Sequence, residues 1–163
     1  MGKVLSKFTN GFPGAVTRSK DDVIVALKNV GQASIRFGDP VFLYNGVNPG
    51  GVRGFIANTT TENDFVGIAV RVPDKTPEVF DSDAGEFGVG EVVDVLVRGC
   101  TVVPCGTSSA KIGNQVYIRK SDSALVTSAG SEGTTVPLPD TYIREPRDSA
   151  SNVEIVITKR HLQ

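Results

Sequence analysis

The chain has no Trp, one His, one Met at its start and two Cys in 163 residues. Structural zinc takes about four nitrogen or sulfur ligands, and Cys100, Cys105 and His161 are one short. Catalysis on a His base would have to use His161, in the basic tail Lys159-Arg160-His161, where a solvated side chain is the expectation. Without Trp, a sugar-gripping aromatic cleft is disfavoured. No stretch approaches the ~20 apolar residues of a membrane helix. Neither sign of charge dominates: Lys+Arg 17 against Asp+Glu 18 leaves a net charge of -1, which excludes gripping nucleic acid or an anionic membrane by overall positive field. The start, MGKVLSKFTNGFPGAV, has no apolar run fit for a secretory signal. Gly2 and Ser6 fit a myristoylation pattern short enough to arise by chance. The cysteines are therefore expected in a reducing cytosol as small apolar packers, with a Cys100–Cys105 bridge across a bend at Pro104 the less favoured state.

What is present is Gly, Pro and Val in short alternating runs, the pattern of strands joined by tight turns. Val23, Val25 and Leu27 alternate with Ile24, Ala26 and Lys28, predicting a strand buried on most of both faces. Strands are predicted at 34–37 and 41–44 around Gly38-Asp39-Pro40. Val66, Ile68, Val70 and Val72 make one face at period two, and Val93, Val95 and Val97 another. Residues 116–119 and 124–127 flank Lys120-Ser121-Asp122-Ser123 as a hairpin, and 153–158 is the last strand, with Val153, Ile155 and Ile157 inward. No window sustains a helical period. The expected fold is all-β: a single small β-barrel or sandwich, jelly-roll-like, over residues 21–163, with an extended N-terminal arm over 1–20 and long loops at 45–54, 74–90, 128–139 and 144–152.

The arm carries Lys3, Lys7, Arg18 and Lys20 with no acid, and Phe8 and Phe12 beside the turn formers Asn10-Gly11 and Pro13-Gly14. It reads as a segment laid on something; the plainer reading is a frayed terminus. The stretch 74–94 is acidic, with Asp74, Glu78, Asp81, Asp83, Glu86, Glu91 and Asp94 against Lys75. That asymmetry suits self-association or docking on another protein. RFGDPVFLY at 36–44 also lines up with KIGNQVYIR at 111–119, which predicts two similar corners, each a Gly turn feeding a half-buried strand.

The sequence carries no recognisable catalytic constellation. Serines abound without a placed His, and Cys100 and Cys105 lie in the strand-like RGCTVVPC. GEFGVGE at 85–91 and GVNPGGVRG at 46–54 match no phosphate fingerprint. Asp81-Ser82-Asp83-Ala84-Gly85-Glu86 gathers carboxylates that suit a hard cation, yet it lacks the spacing of a calcium loop, so a solvated loop is the expectation. No catalytic residue, metal or cofactor is assigned.

The order of segments resembles the central block of tailed-bacteriophage structural cement, or capsid decoration, proteins. The matching positions are Gly67 and Ala69, Gly90 and Glu91, Val93, Val95 and Gly99, and Gly113, Asn114, Val116 and Tyr117, with FTNGFPGAVTRS at 8–19 similar to the family's N-terminal segment. Asn114 stands where the family often has Asp, a change a turn tolerates. The resemblance implies a non-enzymatic virion protein made in the bacterial host cytoplasm. It would sit on the capsid exterior, bridging neighbouring major capsid protein subunits as a homodimer or homotrimer, with neither nucleic acid nor membrane as partner. The arm residues Lys3, Lys7, Phe8, Phe12, Pro13 and Arg18 become the candidate capsid or oligomer interface. The alternative is a phage tail or surface binding module recognising glycan or protein.

Overall fold

A computed structural model describes residues 10–18, 20–44, 51–72 and 85–161. Within them the chain forms strands β1 (Val23–Asn29), β2 (Ile35–Arg36), β3 (Pro40–Leu43), β4 (Gly51–Arg53), β5 (Phe65–Ala69), β6 (Glu86–Phe87), β7 (Val92–Pro104), β8 (Gln115–Arg119), β9 (Leu125–Val126), β10 (Thr135–Glu145) and β11 (Asn152–Ile157), plus one short 3-10 turn at Glu62–Asp64. The all-β expectation holds.

Nine strands form one sheet in the order β1-β4-β3-β5-β7-β11-β10-β8-β9, and a further pairing of β1 with β7 closes its first part into a ring. That ring, β1-β4-β3-β5-β7, is a small barrel. Its interior holds Val41, Val52, Val66, Ala69, Val93, Val95 and Val97, with Val23, Val25 and Leu27 packed against them. The remaining strands fold a second layer over the barrel wall. Between the two, Phe42, Phe65 and Ile68 from the barrel meet Val116, Ile118, Leu138, Ile143, Val153, Ile155 and Ile157. The molecule is thus a barrel and a sandwich at once.

β7 belongs to both parts. Its first half pairs with β1 and β5 and its second half with β11. The handover falls at Gly99, whose φ of +124 is a conformation that disfavours side chains. A Cβ there would also lie 2.1 Å from Asp22 Oδ1.

The repeat at 36–44 and 111–119 is real in three dimensions. Gly38 and Gly113 both have φ +85. The Asp39 carboxylate accepts the Arg36 amide at 3.0 Å, and the Asn114 side-chain oxygen accepts the Lys111 amide at 2.9 Å. Each corner is tied to a neighbouring strand by the same two bonds. Gly38 N–H donates to the Ala69 carbonyl and Ala69 N–H to that of Asp39; Gly113 N–H donates to the Ile143 carbonyl and Ile143 N–H to that of Asn114. The correspondence extends further. β3 pairs antiparallel with β4 and β5, and β8 with β9 and β10. β5 pairs with β7 and β10 with β11, and β1 with β7 as β7 does with β11. Where Val30 N–H reaches the Val52 carbonyl to help close the barrel, Gly106 N–H reaches that of Leu125. The two halves follow the same order of pairings around one shared long strand, closed into a ring in the first by β1–β4 and joined at the matching place in the second by a single bond.

Several expectations are corrected. β1 is buried on one face only: Ile24 is 48% exposed, and Ala26 and Lys28 are exposed, because a barrel wall has solvent outside. Val66 and Ile68 do not share a face, since Val66 is the extra residue of a bulge opposite Val41–Phe42; it points into the barrel while Ile68 points to the second layer. The reading of 128–139 and 144–152 as loops missed β10. Pro137 and Pro139 are unusual inside a strand, but a register shift between Pro137 and Tyr142 accommodates the second, and Asp140 there has φ +51. β4 and β6 likewise lie inside stretches expected to be loops.

Candidate functional site

The described part of the arm is an added strand on its own domain. Gly14 N–H donates to the Val102 carbonyl, Val102 N–H to that of Ala15, and Thr17 N–H to that of Cys100, so the arm runs antiparallel along the free edge of β7. An unpaired edge with buried Val102 and Thr101 beside it invites such cover. Asn10 fixes the far end. Its amide donates to Asp148 at 2.7 Å, and its side chain donates to the carbonyls of Pro146 and Asn152.

The near end is held by Glu154. This carboxylate, 4% exposed, accepts Arg18 Nε at 3.0 Å and Nη2 at 3.1 Å, and also the Thr17 hydroxyl. Burial pushes its carboxyl up, but the hydrogen bonds from Arg18 and Thr17 outweigh that and hold it below the ordinary range. Arg18 also reaches Glu145 at 3.2 Å. Beyond it opens a cleft of about 320 Å³ that includes Lys20, Arg98 and Arg144.

The sequence-derived interface residues therefore have separate places. Pro13 is buried, against Gly38, where an added Cβ would lie 2.9 Å from its own. Arg18 is the clasp just described. Phe12 stays 49% exposed, beneath the Arg71 guanidinium at 5.5 Å. Lys3, Lys7 and Phe8 lie outside the described residues, as do Asp74, Glu78, Asp81 and Asp83 of the acidic stretch. Sequence reasoning missed Glu154, although one signal was present: a lone carboxylate inside the apolar run Val153–Ile157 requires a cation, and Arg18 supplies it.

Groups with reactive potential are otherwise quiet. Cys100 and Cys105 are free and buried, and burial, then Glu154, pushes the Cys100 thiol up, away from thiolate character. His161 is not the solvated tail residue expected. It packs against the Phe65 ring, with Nε2 3.4 Å from Asp140 Oδ2. Among the described residues no group of three or more His, Cys, Asp or Glu is placed to hold a metal ion. No helix among them is long and apolar enough to cross a membrane.

Residues 3–158 match the family model described as Structural cement protein (E217 gp24/Pam3 gp6). The chain belongs to that phage cement family. A solved structure titled "The capsid of Myoviridae Phage XM1" contains a chain of similar fold, with TM-score 0.73 and 17% identity over 97% of this chain and 96% of that one. No curated protein matches. The matched residues include the arm clasp, the shared strand β7 and both repeat corners, and end short of His161. A structural role in the phage head, implied by segment order, is the role that the family carries.

Proposed function

We propose that this protein binds the outside of a phage head and ties neighbouring major capsid protein subunits together without catalysing a reaction. The observation that carries the reading is the family match over residues 3–158. The physics of cementing agrees with the architecture. Each copy that touches more than one subunit turns a second contact into an intramolecular event, so modest individual contacts resist rupture through effective concentration. The clamp must not deform under load, and a doubled β core with a shared strand supplies that stiffness.

The docking segment in this reading is the arm with its flank: Lys3, Lys7, Phe8, Phe12, Pro13 and Arg18. Pro13 and Arg18 contribute by fixing the arm on the domain, and Phe12 by its exposed ring. The protein is a homodimer or homotrimer on the virion exterior, made in the bacterial host cytoplasm, and it engages neither nucleic acid nor membrane. Undecorated heads mixed with the purified protein and sedimented test the reading. Co-sedimentation at saturable stoichiometry is expected, and heads that pellet bare refute it.

A further inference from the structure

Positive charge is left over at the place where β7 passes from one half to the other. β1 begins at Val23 opposite Arg98 of β7, and β11 ends at Ile157 opposite Gly99. The cleft of about 320 Å³ beyond Arg18 opens at this handover and takes residues from both sides of it. Gly99, Cys100 and Ile157 are its buried part. Around them stand four exposed cations, Arg18, Lys20, Arg98 and Arg144, with one carboxylate, Asp21. Arg144 is the extra residue of a bulge in β10, between Ile143 opposite Ile155 and Glu145 opposite Glu154, and a bulge re-aims the side chain it carries.

Only Arg18 is spoken for, by Glu154 and Glu145. Lys20, Arg98 and Arg144 have no ion-pair partner among the described residues. A chain of net charge -1 thus collects an excess of cations in one cleft. Such a cleft focuses the field between low-dielectric walls and draws in the opposite charge. Guanidinium groups match carboxylates two bonds at a time, as Arg18 does here on Glu154. The cations surround a short cleft with apolar Val156 and Ile157 in its lining. That arrangement suits an acidic peptide, whereas the regular line of phosphates in a nucleic acid asks for an extended basic stripe.

We propose that this cleft is a docking site for an extended acidic segment of a partner protein. Its carboxylates pair with Lys20, Arg98 and Arg144, and an apolar residue between them rests against Val156. For the partner's identity this rests on the cementing reading, in which the segment belongs to a head subunit.

The probe is a fluorescent octapeptide of alternating Glu and Val, titrated into the full chain at low salt and followed by anisotropy. Lys20→Gln, Arg98→Gln and Arg144→Gln are combined, which keeps the apolar stems, and Arg18 stays because it clasps the arm. The peptide is expected to bind the wild-type chain and to bind the triple variant about tenfold more weakly, since each exposed pair contributes modestly. Amide shifts at Gly99, Cys100 and Thr158 of the wild-type chain should locate it without any substitution. Equal affinity for a peptide with Gln in place of Glu would overturn the proposal. So would an affinity that the triple variant leaves unchanged, shifts confined to other residues, or tighter binding of an oligothymidylate of matched charge. On heads, the triple variant should lose occupancy that the wild type keeps. Equal occupancy overturns the assignment to a head subunit, whereas heads left bare by the wild type refute cementing itself and leave the peptide to decide the cleft.

Discussion

Gly67 of β5 offers the sharpest quantitative test of the barrel. Its Cα faces the backbone of β7, and an added Cβ would lie 2.0 Å from the Leu96 carbonyl oxygen and 3.0 Å from a Val95 methyl. Backbone atoms on a paired strand cannot swing aside as a side chain does, so Gly67→Ala must push β5 from β7. Overpacking of a tight core costs up to about 3 kcal/mol, and loss of one adjoining bond, such as Val70 N–H to the Asp94 carbonyl, about 1 more. A total of about 4 kcal/mol is a large share of the ~5–15 kcal/mol that holds a domain folded. At about 3 °C per kcal/mol for this size, thermal unfolding followed by circular dichroism should drop by about 12 °C. Gly113→Ala is the control. Its φ of +85 carries conformational strain but the added methyl meets open space, so about 1–2 kcal/mol is expected. If Gly67→Ala lowers the midpoint no more than Gly113→Ala, the close approach of β5 and β7 is not what closes the barrel.

Other outcomes follow from the same structure. Ile155→Ala, fully buried between the layers, should cost about 2–5 kcal/mol, read from urea midpoints with an unchanged slope. The Glu154 clasp is pH-dependent. Because its folded carboxyl sits below the ordinary value of 4.5, its contribution is present above that pH and fades as pH falls through the lowered value. Protection factors of the Gly14 and Val102 amides, relative to their intrinsic exchange rates, should fall in acid, and Glu154→Gln should remove that dependence. Deleting residues 1–9 should leave the melting curve intact, since Asn10, Gly14 and Arg18 still hold the arm, while head occupancy falls; unchanged occupancy would count against the arm as docking segment.

How much was legible in the sequence depended on the range of the interactions. The two corners could be read because their chemistry is local: Gly38 with Asp39 and Gly113 with Asn114 each make a turn closed within four residues. The inward sets of β7, β8 and β11 could be read because their apolar residues alternate in sequence; burial follows that alternation in β8, while β7 and β11 are buried on much of both faces. The period failed where a bulge intervenes, as at Val66, and β10 carries two prolines, of which Pro137 stays in register and Pro139 falls in a register shift. The arm's attachment could not be read, because Asn10 and Arg18 bind Asp148 and Glu154, far along the chain. The duplication was visible only in one stretch, since elsewhere the halves share pairings and not residue types.

Strand β7 has a mechanical consequence for a protein whose task is to hold. Because one continuous polypeptide runs through both halves, tension on either half is carried by covalent bonds into the other. The rungs joining β7 to β1 and to β11 lie across its length, so a pull along the strand loads many of them in shear simultaneously instead of peeling them one by one. The lobes cannot be drawn apart like two beads on a string. They yield together or not at all.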